Sequence, residues 1–170
     1  MSLVEKPLTS STARGTPGAR DDWQTPGWLF DVLDGEFNFT LDAAATAETA
    51  MVESFIGPEQ DALRSPWGGR GSTVWLNPPY GRGVGQWIAK ARQEAERGAV
   101  VVVLIFSRTD TVWWHEDAMR ASEIRFIRGR LRFLQDGVEK DPSPAPSCVL
   151  VFVPWAQGPP AMRTIERRGR

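Results

Sequence analysis

Apolar residues recur along this chain with two periods, and the two alternate. Trp28, Leu29, Val32 and Leu33 fall at helical spacing. Thr25-Pro26 before them reads as an N-cap with proline at the first helical position. Phe37, Phe39 and Leu41 then recur every second residue, which predicts a strand ending at Asp42. Ala43 to Met51 suits a short helix, and Val74-Trp75-Leu76 a short strand. Val84, Trp87, Ile88, Ala91 and Ala95 form a helical stripe that Gly98 stops. Ala99 to Phe106 is a continuous apolar run rich in β-branched residues, as in a strand buried on both faces. Thr111 to Met119 suits a helix, and Ile124–Ile127, Leu131–Leu134 and Cys148–Val153 three further strands.

Strands alternating with helices predict an α/β domain with a mainly parallel sheet. The late strands have little helix between them and predict an antiparallel edge. A chain of 170 residues and 18.9 kDa fits one compact domain, assigned to 21–156. Residues 1–20, rich in Ser, Thr, Gly and Pro, read as a flexible arm, and 157–170 as a basic tail.

Composition narrows the chemistry. One cysteine and one histidine exclude a disulfide framework, a Cys-based zinc site and a multi-histidine metal site, so no metal is expected. Cys148 reads as core and His115 as a surface or capping group. The absence of a long apolar run or leader-like start predicts a soluble cytoplasmic protein, away from membranes. The sequence does not give the oligomeric state, and a monomer is favoured.

Asn77-Pro78-Pro79-Tyr80 is the most informative stretch. It follows a predicted strand, where ligands bind in open α/β sheets. Two prolines stiffen the turn. The Asn77 side-chain oxygen and the Pro78 carbonyl can then accept both hydrogens of an exocyclic amine. That withdraws the nitrogen lone pair from conjugation and leaves it free for an electrophile. Tyr80 offers a ring on which a base can stack.

At these residues the chain resembles the S-adenosylmethionine-dependent amino-methyltransferases. It is similar, more narrowly, to the phage-type (Dam-like) DNA N6-adenine methyltransferases. The resemblance runs through Trp23-Gln24-Thr25-Pro26, Leu41-Asp42-Ala43-Ala44-Ala45, Gln60-Asp61-Ala62-Leu63 with Trp67, Trp75 to Gly81, Ser107 to Trp114, and Gly129 to Phe133. It implies a Rossmann-like class I fold, S-adenosylmethionine as donor, S-adenosylhomocysteine as product and double-stranded DNA as partner. It also implies cofactor contacts at Asp42 and Ala43, at Asp61, and at Thr25-Pro26 over the methionine carboxylate. Glu48 and Glu53 are the candidates for a ribose diol. The glycine-rich loop usual after the first strand is absent, with Ala43-Ala44-Ala45 in its place. Other amines stay open as acceptors: an RNA base, cytosine N4, guanine N2 or a protein glutamine. So does a noncatalytic DNA-binding protein on the same scaffold. GATC is a candidate recognition site by resemblance only.

A net charge of -1 gives no whole-chain sign of a nucleic-acid partner. Counted by segment, Asp21–Leu63 holds ten acids and no Lys or Arg, whereas Arg120–Arg132 holds five arginines and one acid. Arg125, Arg128, Arg130 and Arg132 therefore read as phosphate contacts, with Arg82 and Arg108 near strand ends adding to the same mouth. A duplex adenine must flip out to be methylated, and Trp113 of the Trp113-Trp114 pair is a candidate for its pocket. Trp28, Trp75 and Trp87 sit at apolar-periodic positions and read as core.

Overall fold

A computed structural model describes residues 23–167. The expected arm at 1–20 and the last arginines of the tail lie outside these residues. Helix α1 spans Gly27–Phe37, one residue later than the sequence suggests. Pro26 itself is the N-cap, with ψ 133°, and the Thr25 side chain makes no capping bond. The Pro26 carbonyl instead accepts the N–H groups of Leu29 and Phe30.

The helix runs through Phe37, so the expected strand from Phe37 shortens to β1, Leu41–Asp42. Phe30, Leu33 and Phe37 also fall at helical spacing, and that period wins. Asn38 ends α1 in the left-handed region at φ 53°. Asp34 holds this turn twice: its carbonyl accepts Asn38 N–H at 2.8 Å and its carboxylate accepts Phe39 N–H at 2.8 Å. Ala43–Met51 forms turns rather than the expected helix.

The remaining elements are β2 (Thr73–Leu76), α2 (Val84–Glu96), β3 (Val100–Phe106), α3 (Val112–Glu116), β4 (Glu123–Ile127), β5 (Leu134–Gln135), β6 (Val138–Glu139), β7 (Ser147–Phe152) and β8 (Ala161–Ile165). Leu131–Phe133, expected as a strand, is irregular up to β5. Six strands form one sheet in the order β1-β2-β3-β7-β4-β8, and β5 and β6 form a separate antiparallel hairpin. The pairs β1–β2, β2–β3 and β4–β8 are parallel, so only β7 runs against the other five. This corrects the antiparallel edge: the reversed strand lies inside the sheet, between β3 and β4. It also corrects the tail, because Ala161–Ile165 pairs with β4 as the edge strand.

Helix α1 crosses one face of the sheet. Phe30 meets Trp75 of β2 at 5.6 Å between ring centroids, and Glu36 reaches Arg125 of β4. Helix α2 is the crossover between parallel β2 and β3, and it buries Ile88, Ala91 and Ala95. The side chains of β3 are buried on both faces from Val101 to Phe106, as the apolar run predicts. Among the described residues no helix is long and apolar enough to cross a membrane.

Candidate active site

Parallel pairing sets Asp42 opposite Trp75, so β1 and β2 end side by side. A cavity of about 700 Å³ opens beyond those carboxyl ends, lined by Asp42 and Asn77 together with Thr25, Glu48, Asp61 and Pro79. Among the described residues, four of its lining side chains are carboxylates (Asp42, Glu48, Asp61 and Asp136) and none is Lys, Arg or His.

Asp42 is 3% exposed. Its two carboxylate oxygens accept Ala44 N–H at 3.3 Å and Met51 N–H at 3.1 Å. These bonds curl residues 43–51 around the carboxylate, which is why no helix forms there. Burial raises the Asp42 pKa, and the two N–H groups only partly oppose it. None of Ala43, Ala44 and Ala45 takes a positive φ, so this loop works without the usual glycines. Ala44 and Ala45 line the cavity. Ala43, expected there, is fully buried and donates to the Trp75 carbonyl at 2.9 Å.

Asp61 lines the cavity at φ 48° and is paired with Arg64 at 3.3 Å. Of the two ribose candidates, Glu48 lines the cavity and Glu53 does not. Thr25 is on the wall, whereas Pro26 stands behind it in the helix cap.

Asn77 carries the most specific geometry. Its Nδ2 donates to the Trp23 carbonyl at 2.5 Å. A carbonyl can only accept, so this bond fixes which way the amide points. Its Oδ1 is buried and has no hydrogen-bond partner among the described residues. A buried acceptor left unpaired costs about 1–3 kcal/mol, and Asn77 is a residue of the cavity wall, so this oxygen marks a place for a donor.

Pro78 is buried and Pro79 lines the cavity. Tyr80 does not. It is 8% exposed, its hydroxyl donates to the Leu104 carbonyl at 3.3 Å, and burial drives its pKa well up. Its ring packs on Phe106 at 4.4 Å, Phe133 at 5.8 Å and Trp23 at 6.3 Å. Trp23 is the cavity-facing member of that aromatic cluster.

The ordered motifs, the cavity at the strand ends and the free Asn77 acceptor converge on one comparison. The sequence matches the family described as DNA N-6-adenine-methyltransferase (Dam) over residues 12–169. The chain belongs to the Dam family. It is 32% identical over 142 residues to the DNA N-6-adenine-methyltransferase of Haemophilus phage HP1 (strain HP1c1), covering 81% of each chain. It is 36% identical over 126 residues to the DNA N-6-adenine-methyltransferase of Escherichia phage T1, covering 73% of this chain and 52% of that one.

The structure divides the arginines that the sequence suggests as phosphate contacts. Arg125 is 8% exposed, its guanidinium held by Glu36 at 2.6 and 2.7 Å and by Glu123 at 2.7 Å. It lies over the Phe37 ring at 5.2 Å, so it fastens α1 to the sheet and is withdrawn from the phosphate-contacting set. Arg128, Arg130 and Arg132 are exposed. Arg128 pairs with Glu166 at 3.0 Å, and the other two reach backbone carbonyls at 3.4 and 3.3 Å. Exposed contacts of this kind contribute roughly 0–1 kcal/mol. Arg108 stands 6.0 Å from the Phe106 ring beside the Tyr80 cluster, and Arg82 is exposed two residues past Tyr80. Trp113 is not on the cavity wall. Its side chain fills the space beside Gly85, where a Cβ would meet it at 3.0 Å.

Sequence reasoning missed Trp23 and Gln24 as wall residues, along with Trp87, Gln135 and Asp136. One signal was available. Asp136-Gly137 between Leu134 and Val138 is a two-residue hairpin turn, and both residues have the positive φ that such turns need, 51° and 73°.

Proposed function

We propose that this chain is a Rossmann-like, S-adenosylmethionine-dependent enzyme that methylates adenine N6 in double-stranded DNA. Five co-directional strands and a cavity at the carboxyl ends of β1 and β2 support the fold reading. The observation that carries the function is the unpaired, buried Asn77 Oδ1, with its amide oriented by Trp23.

The wall suits the donor. Of the wall carboxylates, Asp61 is paired with Arg64, whereas Asp42, Glu48 and Asp136 have no ion-pair partner among the described residues and favour a sulfonium; the cavity volume is that of a small-molecule site. When bound, the donor supplies an electrophilic methyl group. Asp42, Glu48, Asp61 and Thr25 would hold it, with Ala44 and Ala45 permitting close approach. Asn77 Oδ1 and the Pro78 carbonyl accept the two amine hydrogens of a flipped adenine, which frees the nitrogen lone pair. Transfer of that methyl group would form the N–C bond as the donor's S–C bond breaks, with the excess proton released to solvent. Trp23, backed by Tyr80, is the ring beside the amine. Arg128, Arg130 and Arg132, with Arg82 and Arg108, contact the DNA backbone.

The test is Asn77→Ala with labelled donor and duplex DNA, digested to identify the methylated nucleoside. We expect N6-methyladenine from the wild type and a loss of at least about 10²-fold from the variant. A folded Asn77→Ala protein with full turnover refutes the assignment, and a different methylated product redirects it.

A further inference from the structure

The hairpin β5–β6 is tied to the catalytic motif by a short relay. Gln24 N–H donates to the Leu134 carbonyl at 2.9 Å, and Leu134 N–H donates back to the Gln24 carbonyl at 3.0 Å. Gly137 N–H donates to Gln24 Oε1 at 3.2 Å. Gln24 is thereby a third strand laid on the hairpin at a single bridge. The preceding residue, Trp23, gives its carbonyl to Asn77 Nδ2. Arg128, Arg130 and Arg132 lie just upstream of the hairpin, and Arg132 reaches both Glu139 and the Lys140 carbonyl at its far end.

We infer that this relay makes Gln24 and Leu134 positioning residues for methyl transfer: the hairpin holds the Trp23 carbonyl where it orients the Asn77 amide. The inference rests on the reading of Asn77 as the amine acceptor. The physical reason is freedom at Asn77. Without the Trp23 carbonyl the side-chain amide can turn about its terminal torsion, which is broad and roughly two-fold. In the turned state an NH₂ faces the substrate amine, two donors meet, and the base is rejected. A segment that the arginines join to DNA thus sets the orientation of the group that meets the base.

Leu134→Pro tests this. It removes the N–H that the Gln24 carbonyl accepts and leaves the arginines and Asn77 unchanged. We expect the single-turnover methylation rate to fall at least about tenfold. Duplex affinity by fluorescence anisotropy should stay within about twofold, an energy change of under ~0.5 kcal/mol. Leu134→Ala keeps the backbone N–H and should restore the rate. In nitrogen-15 NMR, the Asn77 side-chain amide resonance should shift toward that of a free amide in Leu134→Pro and not in Leu134→Ala. If Leu134→Pro does not fold, Gly137→Val strains the same hairpin at a residue with φ 73° and takes its place. An unchanged rate, or a slowed rate with an unmoved Asn77 resonance, overturns the inference. Asn77→Ala in the same assay separates the two claims. If Asn77→Ala is inactive while Leu134→Pro is not, the relay fails alone. If Asn77→Ala is active, the acceptor reading fails first.

Discussion

Glu94→Ala is expected to cost several kcal/mol of stability, although Glu94 lies outside the cavity. Glu94 falls on the buried side of α2 and is 1% exposed. Its Oε1 accepts Lys90 Nζ at 2.6 Å and Arg97 Nη1 at 2.7 Å, and its Oε2 accepts Trp67 N–H at 3.0 Å. Lys90 is itself buried, 5.7 Å from the centre of the Trp67 ring. Truncation leaves a buried ammonium without its carboxylate and a buried N–H without an acceptor. Breaking a buried pair on one side costs about 3–5 kcal/mol, and the orphaned N–H lies within that figure. The expected loss is therefore about 4 kcal/mol, which for a chain of this size lowers Tm by about 8–16 °C. Urea titration with an unchanged m value is the assay.

The pH dependence of this loss has a definite sign. Burial is the largest influence on the Glu94 carboxyl and raises its pKa, but Lys90, the Trp67 N–H and Arg97 together bring it below the ordinary 4.5. A depressed folded pKa stabilises in full above the ordinary value and is lost as pH falls through the folded one. The gap between wild type and Glu94→Ala should thus shrink in acid. Adding Lys90→Met should recover part of the loss at neutral pH, since the stranded charge is then gone. A loss below about 1 kcal/mol at neutral pH, or a gap that does not change with pH, would refute the reasoning. Trp67 Nε1 donates to the carbonyl of cavity residue Ala62 at 2.9 Å, so donor affinity should weaken alongside stability.

Four further outcomes are expected. Neutralising Arg128, Arg130 and Arg132 together should weaken DNA binding and flatten its salt dependence, each lost phosphate contact reducing the log–log slope by about 0.9. Arg125→Gln should lower stability and leave that slope alone, so a slope lost with Arg125 instead would contradict its role as a buried clamp. Asp42→Asn should weaken donor binding, measured by calorimetry, by at least about tenfold (roughly 1.4 kcal/mol). Because burial raises the Asp42 pKa, the wild-type carboxyl is most favourable to folding below the ordinary 3.8, and that advantage fades as pH rises through the folded value. Wild type should accordingly gain on Asp42→Asn in acid, and a gap that moves the other way counts against the burial argument. Cys148 is fully buried and its thiol pKa is pushed up to about 12, so a disulfide reagent should label it only on unfolding. Rapid labelling of the native protein would contradict its place in β7.

The apolar periods located α2 and β3 because one residue pattern fitted each. At Phe30–Leu41 two periods overlapped, and a local device, the double hold of Asp34 on Asn38 and Phe39, decided between them. Strand β8 carried no such pattern. Only Ile165 of its five residues is buried, and the strand exists through its backbone pairing with β4. A hydrophobic profile is blind to a strand held that way. The reversed strand could be recognised, but its insertion between β3 and β4 is a long-range choice that chain order does not encode.

The same distinction runs through the site. The Asn77–Tyr80 motif was legible because its chemistry is contiguous, and the strand before it set its place at the sheet's carboxyl end. What makes Asn77 a directed acceptor comes from Trp23, 54 positions away, and neither motif names the other. Sequence shows only the residue type of Tyr80, a ring able to stack on a base, whereas Phe106 and Phe133 enclose it in the fold. Arg125 shows the limit most sharply. Residues alternate across a strand, so Arg125 and Phe126 must face opposite ways. Ordinary hydrophobic patterning would turn Phe126 inward. Here Glu36 at the end of α1 meets Glu123 around the guanidinium, and Phe126 is left 38% exposed. A run of arginines in sequence is thus one buried clamp and three surface charges, and only the helix that covers β4 tells them apart.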